Sequence, residues 1–238
     1  MHNVVKNTGR CGVFDIICPH RCRGCGRIGS VLCECCKNEI LCGNLNICPN
    51  CGKVINYRCS ECGLPFFMTF VMGGRMDLLG RMAEEFKFYS VRAMAESIAG
   101  VIDGMLPEIE GKIVLVPMPT IQRHIRERGL DHTQRICEEL AKKRGWKVDR
   151  LLERNKNTVQ VGANARQRKK QAKEAYRFVP HHEMDVETTY ILFDDIWTTG
   201  ASMMEAGKLL RENGVKNIAM IVIAKSEDKN IKNEKIKR

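Results

Sequence analysis

YILFDDIWTTGAS, residues 190–202, leads from four apolar residues through two adjacent acids into a Thr-Thr-Gly turn. The apolar run suits a buried strand, and the chain from Ala201 onward has the character of a helix start. The turn offers backbone N–H groups, the hydroxyls of Thr198, Thr199 and Ser202, and the partial positive charge of a helix N-terminus. Such a turn holds a phosphate without Lys or Arg. It is neither a P-loop, for want of G-K-[ST], nor a dinucleotide fingerprint, for want of spaced glycines. Two carboxylates beside an anion site need an explanation. A ribose 5-phosphate supplies one: Thr198, Thr199, Gly200, Ala201 and Ser202 take the phosphate, and Asp194 and Asp195 accept hydrogen bonds from the sugar hydroxyls. Mg2+ on a pyrophosphate would also be retained by the acids. The plain alternative is an ordinary strand-to-helix turn with an Asp as cap.

The pattern around this stretch is α/β. GKIVLVPMP predicts a buried strand at 113–116, and IAMIVIA a last one. DHTQRICEELAKKRG predicts a helix capped by Asp131, facing inward at Ile136 and Leu140 and ended by Gly145. MMEAGKLLRENG is another helix. Residues 76–106 have helical periodicity, broken at Gly80 or Ser90, and WKVDRLLER is expected to be one strand leading out. Near-continuous apolar strands alternating with helices predict a mostly parallel, doubly wound sheet covered on both faces. Ligands of such sheets lie beyond the carboxyl ends of the strands, where the acid pair falls.

Twelve of the thirteen cysteines lie at or before Cys62. CRGCGRIGSVLCECC and CPNCGKVINYRCSEC share the frame C-x2-C-x7-C-x2-C, with Cys22, Cys25, Cys33 and Cys36 repeated 26 residues later as Cys48, Cys51, Cys59 and Cys62. Each C-x2-C pair puts two thiolates on one tight knuckle, and Gly26 and Gly52 permit the turn behind it. Two knuckles complete a tetrahedral S4 site suited to structural Zn2+, one ion or two. Sequential pairing and cross-bracing are both open, and a redox dithiol array or an iron–sulfur site are the competing readings. Cys11, Cys18, Cys35 and Cys42 are spare. Composition divides the chain into a cysteine-rich region at 1–66, an α/β domain at 67–225 and a charged tail at 226–238.

The formal net charge is +11, which suits a polyanionic partner, a nucleic acid or a phosphorylated metabolite, or else reflects solubility and a basic tail. No apolar run has the length of a membrane span, and the first residues lack a secretory signal, so the expected location is cytoplasmic.

ILFDDIWTTGAS resembles the phosphoribosyl-pyrophosphate (PRPP) loop of type I phosphoribosyltransferases. With the cysteine finger, EEFKF (84–88), VPMPTIQRHIRERGLDH (116–132) and TVQVGANARQRKKQAKEAYRF (158–178), nearly the whole chain is similar to the ComF family of competence proteins. The resemblance implies that Asp194 and Asp195 contact the ribose and that residues 198–202 bind the 5-phosphate. It places pyrophosphate near Pro117 and the arginines Arg123, Arg126 and Arg128. Gln160, Gly162 and Arg168 match a segment that closes over the site in related enzymes, where an Arg stabilises the departing pyrophosphate. The chain departs from the family at Asp131-His132, commonly Asn-Gln, and at Gln171, commonly Asn. His132 is a candidate general base or a local hydrogen-bonding residue. Three functions are implied: a PRPP- and Mg2+-dependent transferase linked to natural competence and incoming single-stranded DNA, a PRPP sensor without transfer, or a basic accessory protein that binds DNA. Single-stranded DNA or DNA-uptake proteins are the implied macromolecular partners.

Overall fold

A computed structural model describes residues 20–43, 45–88, 92–155, 175–179 and 184–226. Five strands make one sheet: β1 (Met68–Val71), β2 (Ile113–Pro117), β3 (Lys147–Val148), β6 (Thr189–Trp197) and β7 (Asn217–Lys225). Their order is β1-β7-β6-β2-β3, and every neighbouring pair is parallel. Two further strands, β4 (Leu152–Arg154) and β5 (Tyr176–Phe178), pair antiparallel as a separate ribbon.

Alternation along the central strands explains why both faces are covered. Leu115, Ile191, Phe193, Ile221 and Ile223 share one apolar cluster with helices α2 (Leu78–Phe86), α3 (Arg92–Met105) and α5 (His132–Arg144). Val116, Tyr190, Leu192, Met220 and Val222 share the other with α6 (Ala201–Glu212) and the β4–β5 ribbon. A strand buried on both sides has no polar face, hence the continuous apolar runs. The doubly wound expectation is therefore met.

Several local expectations are refined. Asp131 caps α5 through its side chain, which accepts from Gln134 N–H at 3.3 Å, and Gly145 ends the helix at φ 68°. The break after residue 76 is not at Gly80, which lies inside α2 against the carbonyl of Gly74. Helix α2 ends at Phe86, and α3 begins at Arg92. WKVDRLLER is not one strand. Asp149 N–H still donates to Leu115 O at 2.9 Å, but the chain then crosses to the other face, where Leu151 and Leu152 are buried. The two halves of this segment therefore serve different sheets.

The cysteine-rich segment is packed onto this framework. Helix α1 (Glu34–Gly43) starts within the first cluster, and Cys22, Val31, Leu32 and Cys36 join the core of α2 and α3. The second copy guards the edge of β1: Asn46 Nδ2 donates to Thr69 O at 2.9 Å, and Asn46 Oδ1 accepts from Val71 N–H at 3.2 Å. One side chain thus satisfies a sheet edge that would otherwise offer a template for pairing.

Candidate functional site

The strand order turns the chain in opposite directions on either side of one line. From β2 the chain goes by α4 (Gln122–Arg128) and α5 to β3; from neighbouring β6 it goes by α6 to β7 on the other face. A crevice between carboxyl ends at such a reversal is where open α/β sheets take ligands. Pro117 lies opposite Phe193 in the β2–β6 register. The Pro117 loop and the acids after Phe193 therefore flank the same crevice.

Asp194 and Asp195 stand near the carboxyl end of β6, which runs on to Trp197. Thr198 and Thr199 are exposed, and Gly200 is the α6 N-cap with φ 73° and no side-chain cap. Among the described residues Ala201 N–H meets only Thr199 Oγ1, at 3.5 Å, so the start of α6 keeps donors for an anion.

Asp195 is 8% exposed. Its Oδ2 pairs with Lys87 Nζ and lies 3.2 Å from His132 Nε2. Its Oδ1 accepts from Ile196 N–H at 2.8 Å. Burial opposes its charge, but the His132 hydrogen bond and the Lys87 ammonium outweigh burial and hold the carboxyl well below the usual range. Asp194 is partly exposed, and its Oδ1 accepts from Asp195 N–H at 2.9 Å. Burial, with the adjacent Asp195 charge, pushes its carboxyl well up. Lys87 also meets Glu84 at 3.2 Å, and Glu84 meets Arg75 at 2.9 Å. Signs alternate along this row, from buried Asp195 and Lys87 out to the more exposed Glu84 and Arg75.

Lys87 was visible in sequence only as part of EEFKF, with no role attached. Its signal was a basic residue just beyond an amphipathic helix, which is too common to single out. His132 does more than bond locally, because it reaches β6. The arginines of α4 lie along the loop after β2: Arg123 is paired with Glu127 at 2.6 Å, Arg126 is exposed, and Arg128 lies over the Phe88 ring at 5.5 Å. Gln160, Gly162, Arg168 and Gln171 lie outside the described residues, as do Cys11 and Cys18. A cleft of about 990 Å3 opens at the opposite end of the sheet, beside Ile113, Lys147, Asp149 and Thr188. None of the candidate site residues lines it, and amino ends of parallel strands are not where such sheets bind ligands.

The cysteines pair sequentially. Cys22, Cys25, Cys33 and Cys36 bring their Sγ atoms within 4.8 Å of one another, and so do Cys48, Cys51, Cys59 and Cys62. Cys25–Cys33 and Cys51–Cys59 are 3.7 and 3.8 Å apart. Zn–S bonds of about 2.3 Å in a tetrahedron imply edges of about 3.8 Å, so both groups fit structural zinc. The repeat holds in three dimensions: Gly26 and Gly52 have φ 75° and 76°, and the bridges Arg21–Ile28 and Ile47–Val54 occupy equivalent places. Against burial, backbone N–H groups of Cys25, Cys33 and Gly24 lower the Cys22 thiol to about 6. Cys36 is pushed up to about 12, first by its hydrogen bond with Cys33. Cys35 and Cys42 are exposed, and Cys137 is buried. Among the described residues, no helix is long and apolar enough to cross a membrane.

No family model matches the chain. Competence protein F of Haemophilus influenzae is 24% identical over 236 residues, covering 90% of this chain and 98% of that protein. DNA utilization protein YhgH of Salmonella typhimurium is 24% identical over 220 residues, with 79% and 93% covered, and that of Escherichia coli K12 is 22% identical over 214, with 77% and 92% covered. Similarity along nearly the full length, together with the two cysteine clusters, bears out the resemblance of this chain to the ComF family.

Proposed function

We propose that the chain binds a ribose 5-phosphate, above all PRPP with Mg2+, in the crevice between β2 and β6. The supporting observation is the conjunction there of two acids and a glycine-started helix, Asp194 and Asp195 beside Gly200. The N–H groups at 200–202 and the hydroxyls of Thr198, Thr199 and Ser202 receive the 5-phosphate. The acid side receives the ribose. The loop from Pro117 to Arg128 receives pyrophosphate, whose charge Mg2+ would neutralise, and Arg168 is assigned to the same group by family resemblance.

As a transferase, the protein breaks the C1–O bond so that its electron pair leaves with pyrophosphate. A nitrogen lone pair of the acceptor then bonds to C1, and the acceptor gives up its proton. The protein's part is to position the groups and stabilise charge. The relatives carry the names competence protein and DNA utilization protein. These names support a role linked to competence and DNA utilization, which our reading extends to a cytoplasmic part in handling incoming DNA, with nucleic acid or uptake proteins as partners.

Calorimetric titration of PRPP and Mg2+ tests the site. Zinc-loaded wild type binds, and Asp194→Asn/Asp195→Asn does not. Folded wild type that fails to bind overturns the reading. Pyrophosphate release with added acceptors separates transfer from binding alone.

A further inference from the structure

The two acids at the end of β6 are adjacent in sequence but differ in what remains open to a ligand. Asp195 has three donors on its two oxygens: Lys87 and His132 on Oδ2, and Ile196 N–H on Oδ1. A carboxylate has about four lone-pair directions, so little capacity is left, and the residue is 8% exposed. Asp194 spends Oδ1 on Asp195 N–H. Its carboxyl otherwise lies against that of Asp195, and as a whole residue Asp194 is the less buried of the two.

The donors on Asp195 come from elements distant in the chain. Lys87 follows α2, with its own N–H closing that helix on Glu84 O, and its ammonium spans Glu84 and Asp195. His132 opens α5, and its side chain is 7% exposed, with Nδ1 lacking a hydrogen-bond partner among the described residues. Among the described residues Nε2 is thus its only hydrogen-bonding anchor, and that anchor is Asp195. Three walls of the crevice, α2, β6 and α5, therefore meet on one oxygen atom.

We propose that the acids have unequal duties: Asp194 meets the ribose hydroxyls, while Asp195 is a fixed counter-charge that Lys87 and His132 hold, which makes those two positioning residues of the site. This rests on the ribose 5-phosphate reading above. The open carboxylate needs a rigid backbone behind it, because Asp194 Oδ1 is itself set by the N–H of Asp195. The clamp supplies that rigidity. A glutamine at 132 would keep an N–H able to reach Asp195, and an alanine would not.

The test is a calorimetric titration of ribose 5-phosphate into wild type and single variants, with thermal melting of each. Asp194→Asn is expected to weaken binding about a hundredfold without lowering Tm. Lys87→Met and His132→Ala are expected to weaken binding about tenfold and to lower Tm, with His132→Gln recovering both. The Lys87→Met/Asp195→Asn pair is expected to be less than additive in Tm, since each removes the same bond. In NMR, Asp195→Asn is expected to move the His132 ring resonances in the unliganded protein. Equal losses of binding at Asp194→Asn and Asp195→Asn with unchanged Tm overturn the division of duties, as does His132→Gln behaving like His132→Ala. If wild type does not bind ribose 5-phosphate, the site reading and Asp194's duty fall together. The clamp is then judged by melting and NMR alone: additive Tm changes and an unmoved His132 ring overturn it.

Discussion

The indole of Trp197 occupies the space into which a side chain at Gly200 would project. A Cβ there would lie 2.5 Å from Trp197 Cε2 and Cη2 and closer still to Cζ2. Trp197 is buried, and the φ of 73° at Gly200 already favours glycine. The Thr-Thr-Gly turn and the end of β6 are therefore locked to each other.

Gly200→Ala must strain the backbone and displace the indole. It is expected to cost about 2 kcal/mol or more and to weaken ribose 5-phosphate binding. Urea unfolding and calorimetry check both effects, and an alanine variant with wild-type values would show that the turn accommodates a side chain.

Asp194 sets a pH dependence. Its folded carboxyl titrates above its unfolded value, first because of burial and then because of Asp195. Its contribution to stability is complete below the unfolded pKa of about 3.9 and declines as pH rises through the folded one. Asp194→Asn mimics the protonated form, so its advantage over wild type in Tm should grow from pH 4 towards pH 8. Asp195 has the opposite sign: its folded pKa is depressed, so its contribution holds above the unfolded pKa and is lost on acidification. Between pH 4 and pH 8 Asp195→Asn should therefore keep a nearly constant deficit in Tm, which shrinks only on acidification below about pH 4.

Metal analysis should find two zinc ions per chain, falling to one in either Cys25→Ser or Cys51→Ser. The two losses should differ in place. The first cluster shares the core of α2 and α3, so Cys25→Ser should loosen those helices. The second carries Asn46 and Tyr57, whose carbonyl accepts from Thr69 N–H at 2.6 Å. Cys51→Ser should therefore raise hydrogen exchange at Thr69 and Val71, while protection in α3 is retained.

Arg144 closes the end of α3 from α5. Its guanidinium donates to Asp103 Oδ1 at 2.7 Å and to the carbonyls of Asp103, Leu106 and Pro107 at 2.6, 3.0 and 2.7 Å. Its side chain is 9% exposed. Arg144→Met should destabilise by about 3 kcal/mol through carbonyls left unmet. Arg144→Lys should recover only part of this, because an ammonium lacks the planar fork. Denaturant unfolding of the two variants measures the difference.

What could be read in advance had local causes. The knuckles follow from cysteine spacing and a glycine behind each, and the α5 boundaries follow from Asp131 and Gly145. The acid pair and its turn are contiguous, so their chemistry shows in one short string. WKVDRLLER misled because nothing in its nine residues marks where the chain leaves one sheet for another. That depends on Leu115 O receiving Asp149 N–H while Leu151 and Leu152 find a different apolar cluster. Gly80 likewise looks like a breaker until the Gly74 carbonyl is seen lying against it.

The sequence by itself determined the two cysteine sets, the α/β alternation and the acid–turn string, because each is written in residue types a few positions apart. Only the tertiary structure decided that each cysteine copy closes on itself, that the crevice lies between β2 and β6, and that Asp194 and Asp195 differ. His132 and Asp195 stand 63 positions apart. The charge on one carboxylate depends on which distant cations the packing of α2 and α5 brings to it, and no local pattern specifies that packing.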